Sequence, residues 1–118
     1  VTAISVSCPT HCDHTGPVAG RIPGWPRIVE THEGQPDPRH VEAARYIDGV
    51  NFASRIKCPA LFGVCFLDDL CPPTGVYAAY NALSGPKTIH HDPLTGHIHT
   101  DTFREIALQW AMKQVSSD

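Results

Sequence analysis

The sequence predicts an α/β protein: the C-terminal part of a doubly wound parallel sheet, laid out as strand, long loop with helix, then strand-helix-strand-helix. Three observations predict it. Ala60 to Leu67 is a near-continuous apolar run, as a strand buried on both faces requires. Helical spacing and then a second short strand follow it, the alternation that builds parallel sheets. An acidic pair, Asp68-Asp69, closes the first run, and a Gly96-His97 step follows the second. Polar groups therefore gather beyond the C-terminal ends of two strands, where such sheets bind ligands.

The elements follow in order. Val1 to Pro9 alternates like a strand and stops at proline, and such a strand needs a partner supplied from elsewhere. Thr10 to Pro36 is rich in Gly, Pro and His and reads as a long irregular loop, with one helical turn expected near Trp25 to Val29. Asp37-Pro38 is an N-cap followed by proline at the first helical position, and the spacing predicts a helix to about Ile47 with Val41, Ala44 and Ile47 on one face. Asp48 to Lys57 reads as a connector. After the apolar strand, Val76, Ala79, Tyr80 and Leu83 fall at helical spacing, with a stop near Ser84-Gly85-Pro86. Lys87 to His91 is a short strand, with one of His90 and His91 facing inward and the other outward. Thr102-x-x-Glu105 reads as a capping box for a last helix that buries Phe103, Ile106, Ala107, Trp110 and Ala111.

The length of 118 residues permits one domain but is small for a sheet covered on both faces. A single incomplete domain over 1–118 is expected, lacking an N-terminal part. The net charge of -3 offers no basic footprint, so nucleic acid is not expected as a partner. No apolar run is long enough to span a bilayer, so no membrane partner is expected, and no signal peptide is visible. The compartment is left open. The cysteine count of 5 is odd, and two lie inside apolar runs, which suits buried or free thiols better than a disulfide framework. One disulfide involving Cys8 or Cys12 stays open.

A carboxylate ending a strand, then a helix, a strand and a loop histidine, is two-thirds of a Ser-His-Asp triad as α/β hydrolases deliver it. Histidine serves as base near neutral pH, and a buried carboxylate holds its tautomer. Asp68 is the better orienter because it directly ends the strand, while Asp69 faces the turn or caps the next helix. The nucleophile is missing: none of Ser5, Ser7, Ser54, Ser84, Ser116 and Ser117 sits in a Gly-x-Ser-x-Gly elbow. A cysteine nucleophile at Cys71 is disfavoured by its Pro-Pro neighbourhood. Cys8, His11, Cys12 and His14, and His90, His91, His97 and His99, crowd together, yet no knuckle spacing supports zinc. No metal or other cofactor is expected. Trp110 reads as core, whereas Trp25 lines a sugar site or anchors its loop.

Tyr46-Ile47-Asp48-Gly49-Val50-Asn51-Phe52-Ala53, then Ile56-Lys57-Cys58-Pro59-Ala60, resembles the segment before the acid strand of the acetyl xylan esterase / cephalosporin C deacetylase family. Leu67-Asp68-Asp69-Leu70-Cys71-Pro72-Pro73 and the helix from Val76 to Asn81 resemble its acid motif, and Gly85-Pro86-Lys87 and Gly96-His97 complete the pattern. Upstream, Cys8-Pro9, Cys12-Asp13 and Gly20-Arg21 to Gly24-Trp25-Pro26 resemble the variant found in polysaccharide-degrading gut bacteria. The resemblance implies an α/β-hydrolase fold with Asp68 as triad acid and His97 as base. Ile98 stands where the family usually has Glu, and Gly75 replaces a Ser/Thr-like helix-start residue, leaving Thr74 as the expected cap.

Family members are much longer, and the resemblance implies that a missing N-terminal part would carry the first strands, the oxyanion donor and the serine. The expected function is hydrolysis of acetyl esters on xylan or small acetylated sugars, with this chain supplying acid and base. The expected partners are the acetylated carbohydrate, a companion N-terminal segment or another subunit to complete the sheet, and further copies of the chain, since the family forms ring-like hexamers. The alternative is a non-catalytic oligomeric or ligand-binding remnant of the same fold.

Overall fold

The computed structural model describes residues 1–116. Three parallel strands form the central sheet, in the order β1-β4-β5: β1 is Ile4–Ser7, β4 Ala60–Cys65 and β5 Lys87–Asp92. Ile4 lies opposite Ala60, and Ala60 opposite Lys87. The first strand thus finds its partner within the chain, on β4, a correction to the expectation that one comes from elsewhere. Its other edge carries no strand among the described residues.

All six residues of β4 are buried, as its apolar run requires. The strand stops at Cys65 rather than Leu67. Phe66 donates its backbone N–H to Asp92 and Leu67 to Thr95, bending the chain outward, and Leu67 is 63% exposed. On one face of the sheet, Ala60, Phe62 and Val64 pack against Val76 and Ala79 of α3 (Pro73–Ala82), Leu83 just beyond it, and Ala53 of α2 (Gly49–Ala53). On the other lies α4 (Asp101–Val115), whose Phe103 sits so close to Gly63 that a Cβ there would be 2.7 Å from the ring. Helices on both faces of a parallel sheet give the α/β class.

The helix ends depart from the sequence reading. Asp37 caps α1 (Pro38–Ala44) as expected, accepting from Arg39 N–H at 2.8 Å. That helix stops at Ala44, and Ile47 beyond it is half-exposed. Asp48 to Lys57 is no plain connector: Asp48 caps α2. The cap of α4 is Thr100, which accepts from Phe103 N–H at 3.0 Å, whereas Thr102 lies inside the helix. Of the expected stripe on α4 only Phe103 is fully buried; Ile106, Ala107, Trp110 and Ala111 are half-covered, because this narrow sheet offers them too little surface. Pro72 precedes α3 with no side-chain cap, and Thr74 is exposed. Lys87 Nζ closes the other end of α3, reaching the carbonyls of Tyr80, Asn81 and Leu83 at 3.1–3.2 Å.

The long loop holds its helical turn at Gly16–Ala19 rather than near Trp25, and a short hairpin, β2 (Thr31–His32) with β3 (Gln35–Pro36). Glu33 and Gly34 turn it with φ of 51° and 79°, the left-handed pair a two-residue hairpin needs. No described helix is long and apolar enough to cross a membrane.

Candidate active site

Asp68 follows β4 directly, and the turn it enters is built on its own side chain. Oδ1 accepts from the N–H groups of Leu70 at 2.9 Å and Cys71 at 2.8 Å, and Oδ2 from His97 Nδ1 at 2.9 Å. The carboxylate is fully buried, while the imidazole is 38% exposed. A carboxylate only accepts, so in the neutral ring Nδ1 carries the proton and Nε2 is the basic nitrogen. Asp69 is exposed, and its backbone carbonyl, not its side chain, is engaged, by Arg27.

The loop from Pro93 to His99 carries His97 and is tied down at both ends by Asp92. The Asp92 carbonyl accepts from Thr95 Oγ1 at 3.3 Å, and Asp92 Oδ2 from Thr100 Oγ1 at 3.0 Å. His90 Nε2 lies 3.3 Å from Asp92 Oδ1. Ile98, where a carboxylate was the familiar residue, exposes its side chain and offers its carbonyl to Cys65 Sγ at 3.4 Å.

The segment from Thr10 to His14 is held by a second buried carboxylate. Asp48 is buried and accepts three backbone N–H groups, from Asp13 at 3.1 Å, His14 at 2.7 Å and Val50 at 2.9 Å. His11 and Asp13 hold positive φ of 54° and 61°, a conformation that surrounding contacts must enforce. A Cβ at Gly24 or Gly75 would run into the Cys12 carbonyl. The absence of a Ser/Thr-like residue at position 75 therefore has a steric reason. Arg21 grips Asp13 through two contacts of 2.8 Å. Asp48, which caps α2, and Asp92, which ends β5, escaped the sequence reading.

Burial pushes the Cys12 thiol up to about 12 and raises that of Cys71 as well, with Asp68 adding to the latter. Cys71 is thus a poor nucleophile. All five cysteines are free. Of the crowded Cys and His residues, the structure brings His11 and His14 into contact at 3.2 Å, and Cys8 to the Asp68–His97 pair. One donor atom each from Cys8, Asp68 and His97 lies within 4.8 Å of the others, but the carboxylate and the ring are already spent on each other. Trp25 anchors its loop through its carbonyl, which accepts from His11 N–H at 2.7 Å, and leaves its ring exposed. A cleft of about 420 Å³ adjoins Asp68, walled by Arg21, Ile22, Phe66, Leu67 and Pro72. No described serine hydroxyl bonds to His97.

The arrangement is a histidine held in one tautomer by a buried acid, able to take a proton at Nε2 and return it. The family model described as acetyl xylan esterase matches residues 25–114. The chain is 32% identical to the acetyl esterase Axe7A of Xylanibacter ruminicola over 115 residues, 98% of this chain and 26% of that protein. It is similar in structure to acetyl xylan esterase 1 from Thermoanaerobacterium sp. JW/SL YS485, with a TM-score of 0.78 and 26% identity over 97% of this chain and 38% of that one. It also resembles the acetyl xylan esterase from Paenibacillus sp. R4, with a TM-score of 0.74 and 28% identity over 92% of this chain and 36% of that one. The chain therefore spans well under half of each relative's length.

Proposed function

The chain belongs to the acetyl xylan esterase family, and on that premise we propose that it supplies the acid and base of a serine esterase acting on acetylated carbohydrate. The observation that carries the reading is the 2.9 Å contact between Asp68 Oδ2 and His97 Nδ1, made by a carboxylate whose other oxygen is fixed by two backbone N–H groups. In the reaction, a serine from a companion segment attacks the acetyl carbonyl while His97 Nε2 takes its proton. His97 then passes that proton to the departing sugar oxygen, which leaves as a hydroxyl, and Asp68 stabilises the imidazolium between the two steps. Water, deprotonated by His97 in turn, attacks the acetyl-serine; acetate leaves and the serine oxygen takes the proton back from His97.

The companion segment has a place to pair. Ile4 and Cys8 donate their N–H groups toward β4, so those of Ser5 and Ser7 point to the open edge of β1. Self-association also belongs to the reading, supported by the exposed apolar side chains of Tyr46, Ile47 and Phe52.

A fluorophosphonate probe tests the mechanism on the protein expressed with whatever flanking sequence its gene encodes. The expected result is one labelled serine, with labelling abolished by His97→Gln. No labelling, or labelling indifferent to His97→Gln, overturns the serine mechanism.

A further inference from the structure

Two thiols meet beneath the candidate site. Cys8 follows the last residue of β1 and Cys65 ends β4; their sulfurs are 3.3 Å apart, and the residues are 5% and 1% exposed. The Cys8 N–H bond to the Gly63 carbonyl at 3.0 Å holds the strand ends in place. The sulfurs must approach by about 1.2 Å to reach the ~2.05 Å of a disulfide. The pair belongs to a directed chain of weak bonds: Ser7 Oγ donates to Cys8 Sγ at 3.6 Å, Cys8 Sγ to Cys65 Sγ, and Cys65 Sγ to the Ile98 carbonyl at 3.4 Å. That last acceptor is the residue after His97. Cys8 Sγ also lies within 4.8 Å of a carboxylate oxygen of Asp68 and a ring nitrogen of His97.

We propose that Cys8 and Cys65 form a dithiol–disulfide site whose oxidation releases the loop that carries His97. The oxidant is a low-molecular-weight disulfide such as oxidised glutathione. Burial pushes the Cys8 thiol up to about 12, so attack follows a local opening that admits the oxidant and frees a thiolate; that thiolate attacks a glutathione sulfur and expels one glutathione thiolate. The second protein thiolate then attacks the mixed disulfide and expels the other. The protein loses two S–H bonds and gains one S–S bond; glutathione disulfide gains the two electrons and two protons. Once the disulfide closes, no S–H remains to donate to the Ile98 carbonyl, and the Cys8 sulfur is drawn from Asp68 toward β4. Cys71 shares the same buried cluster and is the internal competitor.

The cross-link stands apart from the catalytic reading, and only its effect on ester hydrolysis rests on that reading. The test equilibrates the protein, with its gene-encoded flanks, in glutathione buffers of increasing oxidation, then alkylates free thiols and maps peptides. The expected product is a Cys8–Cys65 linked pair, reversed by dithiothreitol, lost in Cys8→Ala and Cys65→Ala, and retained in Cys58→Ala. A link through Cys71 overturns the proposal. So do singly glutathionylated cysteines without a link, and so do thiols that all stay alkylatable in the most oxidising buffer. Acetyl-ester hydrolysis by the linked form is expected to be slower by about tenfold or more, restored on reduction. A link that leaves activity unchanged overturns the release of the His97 loop. If neither form hydrolyses the ester, the catalytic reading fails while peptide mapping still decides the thiol site.

Discussion

Asp68 shows how one side chain can build a turn and serve a site at once. Its Oδ1 caps the turn and its Oδ2 holds His97, so the residue that ends the strand also fixes the imidazole ring. This pairing was legible in the sequence, because an acid ending an apolar run and a Gly-His step one strand later are local signals. Asp48 was not legible. Its three N–H donors come partly from Asp13 and His14, far away in the chain, and no periodicity announces such a contact. His14 was equally hidden. It is fully buried, and its Nδ1 has no hydrogen-bond partner among the described residues. Burial holds its pKa below the usual 6.5, with His11 adding to the effect and Asp48 opposing it. As pH falls below about 6.5, the unfolded chain takes up this proton before the folded one, so stability declines. Urea melts between neutral and mildly acidic pH should show that decline, and His14→Gln should flatten it. An unchanged slope contradicts the account of a buried neutral ring.

At the scale of elements, the long periodic segments were readable and their ends were not. The buried strand and the α3 face follow from composition and spacing. The five-residue α2 is too short for a 3.6-residue pattern to emerge, so its cap at Asp48 was read as loop. For α4 two threonines competed. Thr102 carries the expected Glu partner at Glu105, yet Thr100 holds the cap, because the Asp92 carboxylate anchors its hydroxyl at the start of the helix. Thr100→Ala should cost about 1 kcal/mol, measured by chemical denaturation, while Thr102→Ala should leave stability within about 0.5 kcal/mol. The reverse order would restore the sequence reading of the capping box.

The whole molecule is a slab of 52 × 31 × 16 Å. Its central sheet has one helical layer on each face, and the stripe of α4 is only half covered. The sequence indicated the class but not which strands neighbour each other. The pairing of β1 with β4 spans more than fifty residues of loop and helix, and only tertiary structure reveals it. The same geometry sets Asp68, His97 and Cys8 beyond the C-terminal ends of adjacent strands, as an α/β sheet requires of a ligand site. The most direct measurement of the central claim is steady-state hydrolysis of an acetylated xylo-oligosaccharide by the protein with its gene-encoded flanks. It compares wild type with Asp68→Asn and His97→Gln, each checked for an unchanged denaturation midpoint. Asp68→Asn is expected to lower kcat by about 10⁴, since the amide presents the wrong partner to Nδ1, and His97→Gln to cost at least as much. Folded variants that keep kcat within about tenfold of wild type would contradict it.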